Sequence, residues 1–127
     1  MKIKLLTLFL TIVLVGCASK TSHNRASKVA ADYGYSEDNP IKVGGVSNGP
    51  SNERKYLHSL TGLNGEPVYF KRLGSCCPFK SEKAALGGGM LDLYEVKIQG
   101  DTVTKKLYLN MYDKDKLYAP KGFLMKD

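Results

Sequence analysis

Apolar and polar positions change period several times along this chain, and the changes divide it. Leu5 to Val15 is a mostly apolar run free of charge, residues 18 to about 39 carry little apolar pattern, and from residue 40 short patterned stretches alternate with turn residues. Ile41-Lys42-Val43 reads as a short strand ended by Gly44-Gly45, and Asn48-Gly49-Pro50 as a turn. Over residues 51 to 61 the period becomes helical. Tyr56, Leu57 and Leu60 fall on one face, Ser51 can cap, Glu53 suits the positive end of the dipole, and Gly62 supplies the stop. A competing hairpin on Asn64-Gly65 would ask for period 2, which those apolar positions fit less well.

Val68 to Leu73, Leu91 to Ile98 and Val103 to Tyr112 are rich in β-branched and aromatic residues, and the last two flank a hairpin turn at Gln99-Gly100-Asp101-Thr102. In the final strand Val103, Leu107, Leu109 and Met111 alternate with Thr104, Lys106, Tyr108 and Asn110, so one face packs and the other meets water or a partner. Ser81 to Leu86 reads as a short helical piece ended by Gly87-Gly88-Gly89, and the tail after Pro120 is expected to fold back along an edge. The order β, α, β, β, β predicts an α+β domain over residues 40–127. It would be a small antiparallel sheet of about four strands covered by one short amphipathic helix.

The N-terminal apolar run is short of the about 20 residues that a spanning helix needs. Lys2 and Lys4 precede it and Leu14-Val15-Gly16-Cys17 closes it, the order of an exported leader. The Leu-Val-Gly-Cys end resembles the lipobox of bacterial lipoproteins. That resemblance implies cleavage after residue 16, diacylglycerol on the Cys17 sulfur and an acyl group, such as palmitate, on its amine. The resulting anchor would be stable, because each buried methylene contributes about 0.8 kcal/mol and a single chain binds only reversibly. Residues 17–39 then form a flexible tether, with order beginning near Tyr33 or Ile41. Ala18 follows Cys17 and residues 19–25 contain no acid, which by the same resemblance favours the outer membrane, with the domain facing the periplasm.

Removing sixteen residues from 127 leaves 111 and takes away two lysines, so the formal net charge falls from +7 to +5. That length holds one domain with enough core to fold without a metal or a disulfide. The basic residues are scattered, as on a solvated surface, though they also suit an anionic lipid or cell-wall polymer. Nucleic acid is not an expected partner of an exported, lipid-held chain.

Of three cysteines, Cys17 is taken by lipid, which leaves Cys76 and Cys77 adjacent in Gly74-Ser75-Cys76-Cys77-Pro78-Phe79. In an oxidising compartment they pair with each other, pair with another chain, or persist as thiols. Neighbouring Cα atoms lie about 3.8 Å apart, below the about 4.4 to 6.8 Å common for disulfides, so a vicinal bridge is strained and easily reduced. A bridge that shapes a loop is the leading reading and a redox pair the alternative, although no Cys-x-x-Cys motif is present. A further alternative is Cu(I) held by both thiolates with Met90, Met111 or Met125 and His58, at no recognisable ligand spacing. A Cys-His dyad would depend on His58 alone. Asp113-Lys114-Asp115 lacks the rest of a calcium loop, the glycine triplet lacks a phosphate-loop ending, and no carboxylate pair stands out for acid–base work. No cofactor is expected.

Eight tyrosines and no tryptophan complete the picture. Arg72, Phe79, Tyr94, Tyr108 and Tyr112 are candidates for a surface that meets an envelope protein or a cell-wall glycan. The same tyrosines also fit half-buried strand positions.

Asn39-Pro40-Ile41-Lys42-Val43-Gly44-Gly45, Gly49-Pro50 with Asn52-Glu53-Arg54, the Cys-Cys-Pro-Phe segment, and Leu107-Tyr108-Leu109-Asn110-Met111-Tyr112-Asp113 together resemble a family of small envelope lipoproteins from Bacteroidetes and their relatives. The likeness runs from Tyr33 to Phe123. Members are sometimes labelled 2-dehydro-3-deoxyphosphooctonate aldolase, but such enzymes are (β/α)₈ barrels of about 250 residues, which four strands cannot close. The resemblance supports an envelope location and supplies no catalytic residue.

Overall fold

The computed structural model describes residues 29–45 and 48–127. The leader, Cys17 and most of the expected tether therefore lie outside the described residues. The elements run β1 (Ile41–Lys42), α1 (Gly49–His58), β2 (Leu60–Thr61), β3 (Val68–Lys80), β4 (Gly88–Ile98), β5 (Lys105–Asn110) and β6 (Leu124–Met125). The main sheet has the order β1-β5-β4-β3, and β2 pairs with β6 in a second, two-stranded sheet. The α+β architecture is the expected one, but the main sheet is mixed, because β1 lies parallel to β5 while the other pairs are antiparallel. Among the described residues no helix is long and apolar enough to cross a membrane.

One face of the sheet packs against α1 and the core, while the other is exposed at Tyr69, Lys71, Lys97 and Lys106 and covered at Leu91 and Asn110, which are each 1% exposed. Ile41 on β1, Leu107 and Leu109 on β5, and Tyr94, Val96 and Ile98 on β4 are buried with Tyr56 and Leu57 of α1 and Leu60 after it. Helix α1 starts two residues before the expected cap: Asn48 is the N-cap, in the left-handed region at φ 82°, and Pro50 fills the first turn. It ends at His58, so Leu60 and Thr61 join a strand and Gly62 is not the stop. The C-terminal tail pairs with this stretch through Leu60↔Met125 and Thr61↔Leu124, not with an edge of the main sheet.

Ordered packing begins earlier than residue 40. Tyr33 is buried in the core, and Gly34 donates its N–H to the Asn39 carbonyl while its own carbonyl accepts from Tyr108 N. Tyr33 also meets Tyr118 edge-on, with ring centroids 6.1 Å apart. Residues 82–87 form turns, so no helical piece forms there, and Gly88 and Gly89 open β4. Strand β5 begins at Lys105, which leaves Val103 exposed in the connection. Asn110 is buried instead of solvated. Its Oδ1 accepts from the N–H groups of Tyr112 and Asp113, and its Nδ2 donates to Asp113 Oδ2.

Candidate functional site

The candidate region is the β3–β4 hairpin, where regular alternation is broken twice. Residues directly opposite in an antiparallel pair share a face. The inner positions of β3 are Val68, Phe70, Arg72 and Ser75, opposite Ile98, Val96, Tyr94 and Asp92, and the row continues past the core to the exposed pair Pro78 and Met90. The spacing passes from two to three at two register shifts, between Arg72 and Gly74 and between Cys76 and Pro78. Each bulge adds one residue and turns the next positions over. The outward face therefore carries Tyr69, Lys71, Gly74, Cys76 and Phe79, opposite Lys97, Glu95, Leu93, Leu91 and Gly89. On β5 the same face carries Lys106 and Tyr108, with Asn110 beside Lys42 of β1.

Cys76 and Cys77 form a vicinal disulfide within β3, not in a loop after it. Cys77 is the unpaired residue of the second bulge and sits in the left-handed region at φ 54°. That conformation costs an L-residue roughly 1–2 kcal/mol, so something must hold it. The ring closed with Cys76 and the following Pro78 both restrict this residue. Because the bulge puts Phe79 on the outward face, its ring meets Tyr112 at 5.8 Å, and Gly89 lies so close beneath Tyr112 that a Cβ there would stand 2.5 Å from a ring carbon.

Replacing Cys76 and Cys77 together by serine is expected to free Cys77 from the left-handed region. The pairs Pro78↔Met90, Phe79↔Gly89 and Lys80↔Gly88 should then lose amide-exchange protection, while Leu107 and Leu109 keep theirs. Unchanged exchange over residues 77–80 would show that the backbone alone sets the bulge.

Immediately inside the first bulge lies a buried polar cluster that the sequence reading passes over. Asp92 is 2% exposed and accepts from Arg72 Nε at 3.0 Å, from Arg72 at Oδ1 at 2.8 Å, and from Ser75 Oγ at 2.8 Å. Burial presses the Asp92 carboxyl upward, but hydrogen bonds from Arg72 and Ser75 help to outweigh that and hold it below its usual range. Glu53 of α1 is fully buried and accepts from the Tyr94 hydroxyl at 2.9 Å, while its second oxygen has no hydrogen-bond partner. Burial first, and then the neighbouring Asp92 charge, push the Glu53 carboxyl up to about 8. At neutral pH Glu53 therefore keeps its proton and Asp92 does not. Pushing two carboxyl groups apart in this way is the layout of an acid–base pair. Here both carboxyl groups are buried between α1 and the hairpin, and the cluster reaches water through the Arg72 side chain, 48% exposed, and through Ser75, so it ties helix to hairpin.

The sequence-predicted residues separate accordingly. Phe79, Tyr108 and Tyr112 come together on or beside the outward face. Arg72 and Tyr94 face inward and leave the proposed surface, because Arg72 is spent on Asp92 and Tyr94 is 3% exposed with its hydroxyl on Glu53. Met90 sits opposite Pro78, Met111 packs against Gly49, and both cysteine sulfurs are bonded to each other, so no thiolate is on offer in this state. His58 stands edge-on to Phe70 at 4.9 Å. Among the described residues no group of three or more His, Cys, Asp or Glu is placed to hold a metal ion. Cys17 lies outside the described residues.

No family model, curated protein or solved structure matches the chain. The likeness to envelope lipoproteins therefore rests on the motifs quoted above.

Proposed function

We propose that this is a lipid-anchored envelope lipoprotein that works by binding rather than by catalysis, held at the outer membrane through Cys17, with the outward face of β3, β4 and β5 meeting a protein or cell-wall partner. One observation carries the reading: α1 and the core cover one face of the sheet, while the other presents Tyr69 at 59% exposure with Lys71, Lys97 and Lys106 exposed near it and Tyr108 and Phe79 half-buried. Tyrosines that present an apolar body and a polar tip are suited to such contacts.

A photo-crosslinking residue at Tyr69 or Tyr108 tests this in intact envelopes. Discrete adducts from those positions, and none from Arg54 on the exposed side of α1, are expected. Adducts from Arg54 alone, or measured turnover by the purified protein, would overturn the reading.

A redox role for Cys76 and Cys77 is the second reading, favoured by the bridge between them in a partly exposed hairpin. It predicts that the double serine variant loses a thiol-stress phenotype at unchanged stability. The binding reading predicts lost hairpin order with no such phenotype.

A further inference from the structure

The outward face has a charge pattern that narrows the partner. We propose that it binds an acidic polysaccharide, whose carboxylates meet Lys71, Lys97 and Lys106 while sugar rings lie on Tyr69 and Tyr108. The proposal rests on the reading of this face as the binding surface and adds the ligand class.

The rows follow from the strand register. Tyr69 stands beside Lys97, Lys71 beside Glu95 beside Lys106, Leu93 beside Tyr108, and Asn110 beside Lys42. Glu95 is the one acid in these rows. Among the described residues the ion pair within 4 Å is Arg72–Asp92, on the other face, so the exposed Lys71, Lys97 and Lys106 carry their charge to solvent without a salt-bridge partner. Adjacent strands lie about 4.8 Å apart, so Lys71 and Lys106 stand about 10 Å from each other across Glu95, with Lys97 one pleat further along. Charges spread over that distance match a polymer with spaced anions better than a single small anion.

The surface is an open sheet face, where a small molecule would not be desolvated, whereas a polymer adds several weak contacts along its length. A bilayer is the less suited polyanion. An interfacial binder buries an apolar face in the headgroups, and here the most exposed ring, Tyr69, has its hydroxyl engaged with Gln99 at 3.2 Å.

The test uses the mature protein purified from envelopes in detergent and titrated with polygalacturonate, neutral dextran, and phosphatidylglycerol vesicles at physiological salt. The variant Lys71→Gln/Lys97→Gln/Lys106→Gln is compared with Arg54→Gln/Lys55→Gln/Lys121→Gln, which removes the same charge from exposed positions elsewhere. Three exposed contacts of about 0.5 kcal/mol each predict about a tenfold loss for the first variant and under about threefold for the second. Tyr69→Ala should also weaken polygalacturonate binding, and dextran should not bind.

Equal losses in the two triple variants would reduce the effect to unspecific charge and overturn the proposal. Vesicle binding that depends on the three lysines, without polygalacturonate binding, would assign the face to lipid headgroups instead. No polyanion binding, with crosslinks from Tyr69 to an envelope protein intact, would sink the glycan proposal alone and leave the binding reading standing. Loss of both would sink the two together.

Discussion

Replacing Glu53 by glutamine makes the protein more stable than its parent at pH 8 and leaves it nearly unchanged at pH 5. The sign follows from the direction of the shift. Unfolded, Glu53 ionises above its ordinary 4.5, whereas folded it holds its proton to about 8 because burial and Asp92 disfavour the charge. The folded state therefore binds more protons between those two values, and stability falls as pH rises through that window and levels off above it. Asp92 acts in the opposite direction and lower down. Its folded pKa lies below the ordinary 3.8, so the stability it contributes is lost as pH falls past that point. Maximum stability is expected near pH 4 to 5, between the two windows. Other charged groups facing Glu53 are few: Arg72 lies behind Asp92, and the Tyr94 phenol, raised by burial and by Glu53 itself, stays neutral. Glutamine can still accept from Tyr94 and offers N–H groups where the parent offers a carboxyl proton. The loss in the parent between pH 5 and 8 is a few kcal/mol, so the variant should melt at least about 5 °C higher at pH 8. Melting temperatures from pH 4 to 9 for both proteins decide it. A flat parental curve from 5 to 8, or a glutamine variant that melts lower at pH 8, would contradict the account.

The second large effect is expected from Arg72→Ala. It removes two charge-assisted hydrogen bonds, at 2.8 and 3.0 Å, from a carboxylate that is 2% exposed and leaves it only the Ser75 hydroxyl. Breaking a fully buried pair costs roughly 3–5 kcal/mol, but the Arg72 side chain is half exposed and water recovers part of that, so a loss of about 2–3 kcal/mol is expected at pH 7. The loss should shrink as pH falls below the ordinary carboxylate range, because without Arg72 the Asp92 carboxyl takes up its proton more readily. Asp92→Asn in the Arg72→Ala background should add less destabilisation than it does alone, because the two groups act as one unit. Urea unfolding of the four proteins measures both expectations, and strict additivity would rule out the coupling.

Much of the scaffold is legible in the residue pattern, and the reasons it stops being legible are local. Ile41 on β1, the Tyr56-Leu57-Leu60 face and the Leu107/Leu109 alternation all announce themselves because period and burial agree there. Strand β3 is readable only to Leu73, because Gly74 and Pro78 look like loop punctuation. In the fold they are absorbed by two bulges that change the inward spacing from two to three. The parallel pairing of β1 beside β5 has no signature in either short segment. The buried acids were missed because a charge reads by default as solvated. The available signal was their place in an apolar series: Glu53 is one turn before Leu57, and Asp92 begins the inward row that continues as Tyr94, Val96 and Ile98. Read that way, an acid in each series asks for a buried partner. The outward lysines were visible as residues, but only the register shows that they share a face.

Envelope location and the shaped hairpin form the centre of this account, and intact and peptide mass spectrometry of the mature protein from its own envelope, with thiols trapped at lysis, tests both. The account predicts an N-terminus at Cys17 carrying diacylglycerol and an acylated amine, together with a peptide containing Cys76 and Cys77 that is lighter by two hydrogens. A chain that keeps Met1 and carries no lipid, or trapped free thiols at both positions, would contradict it.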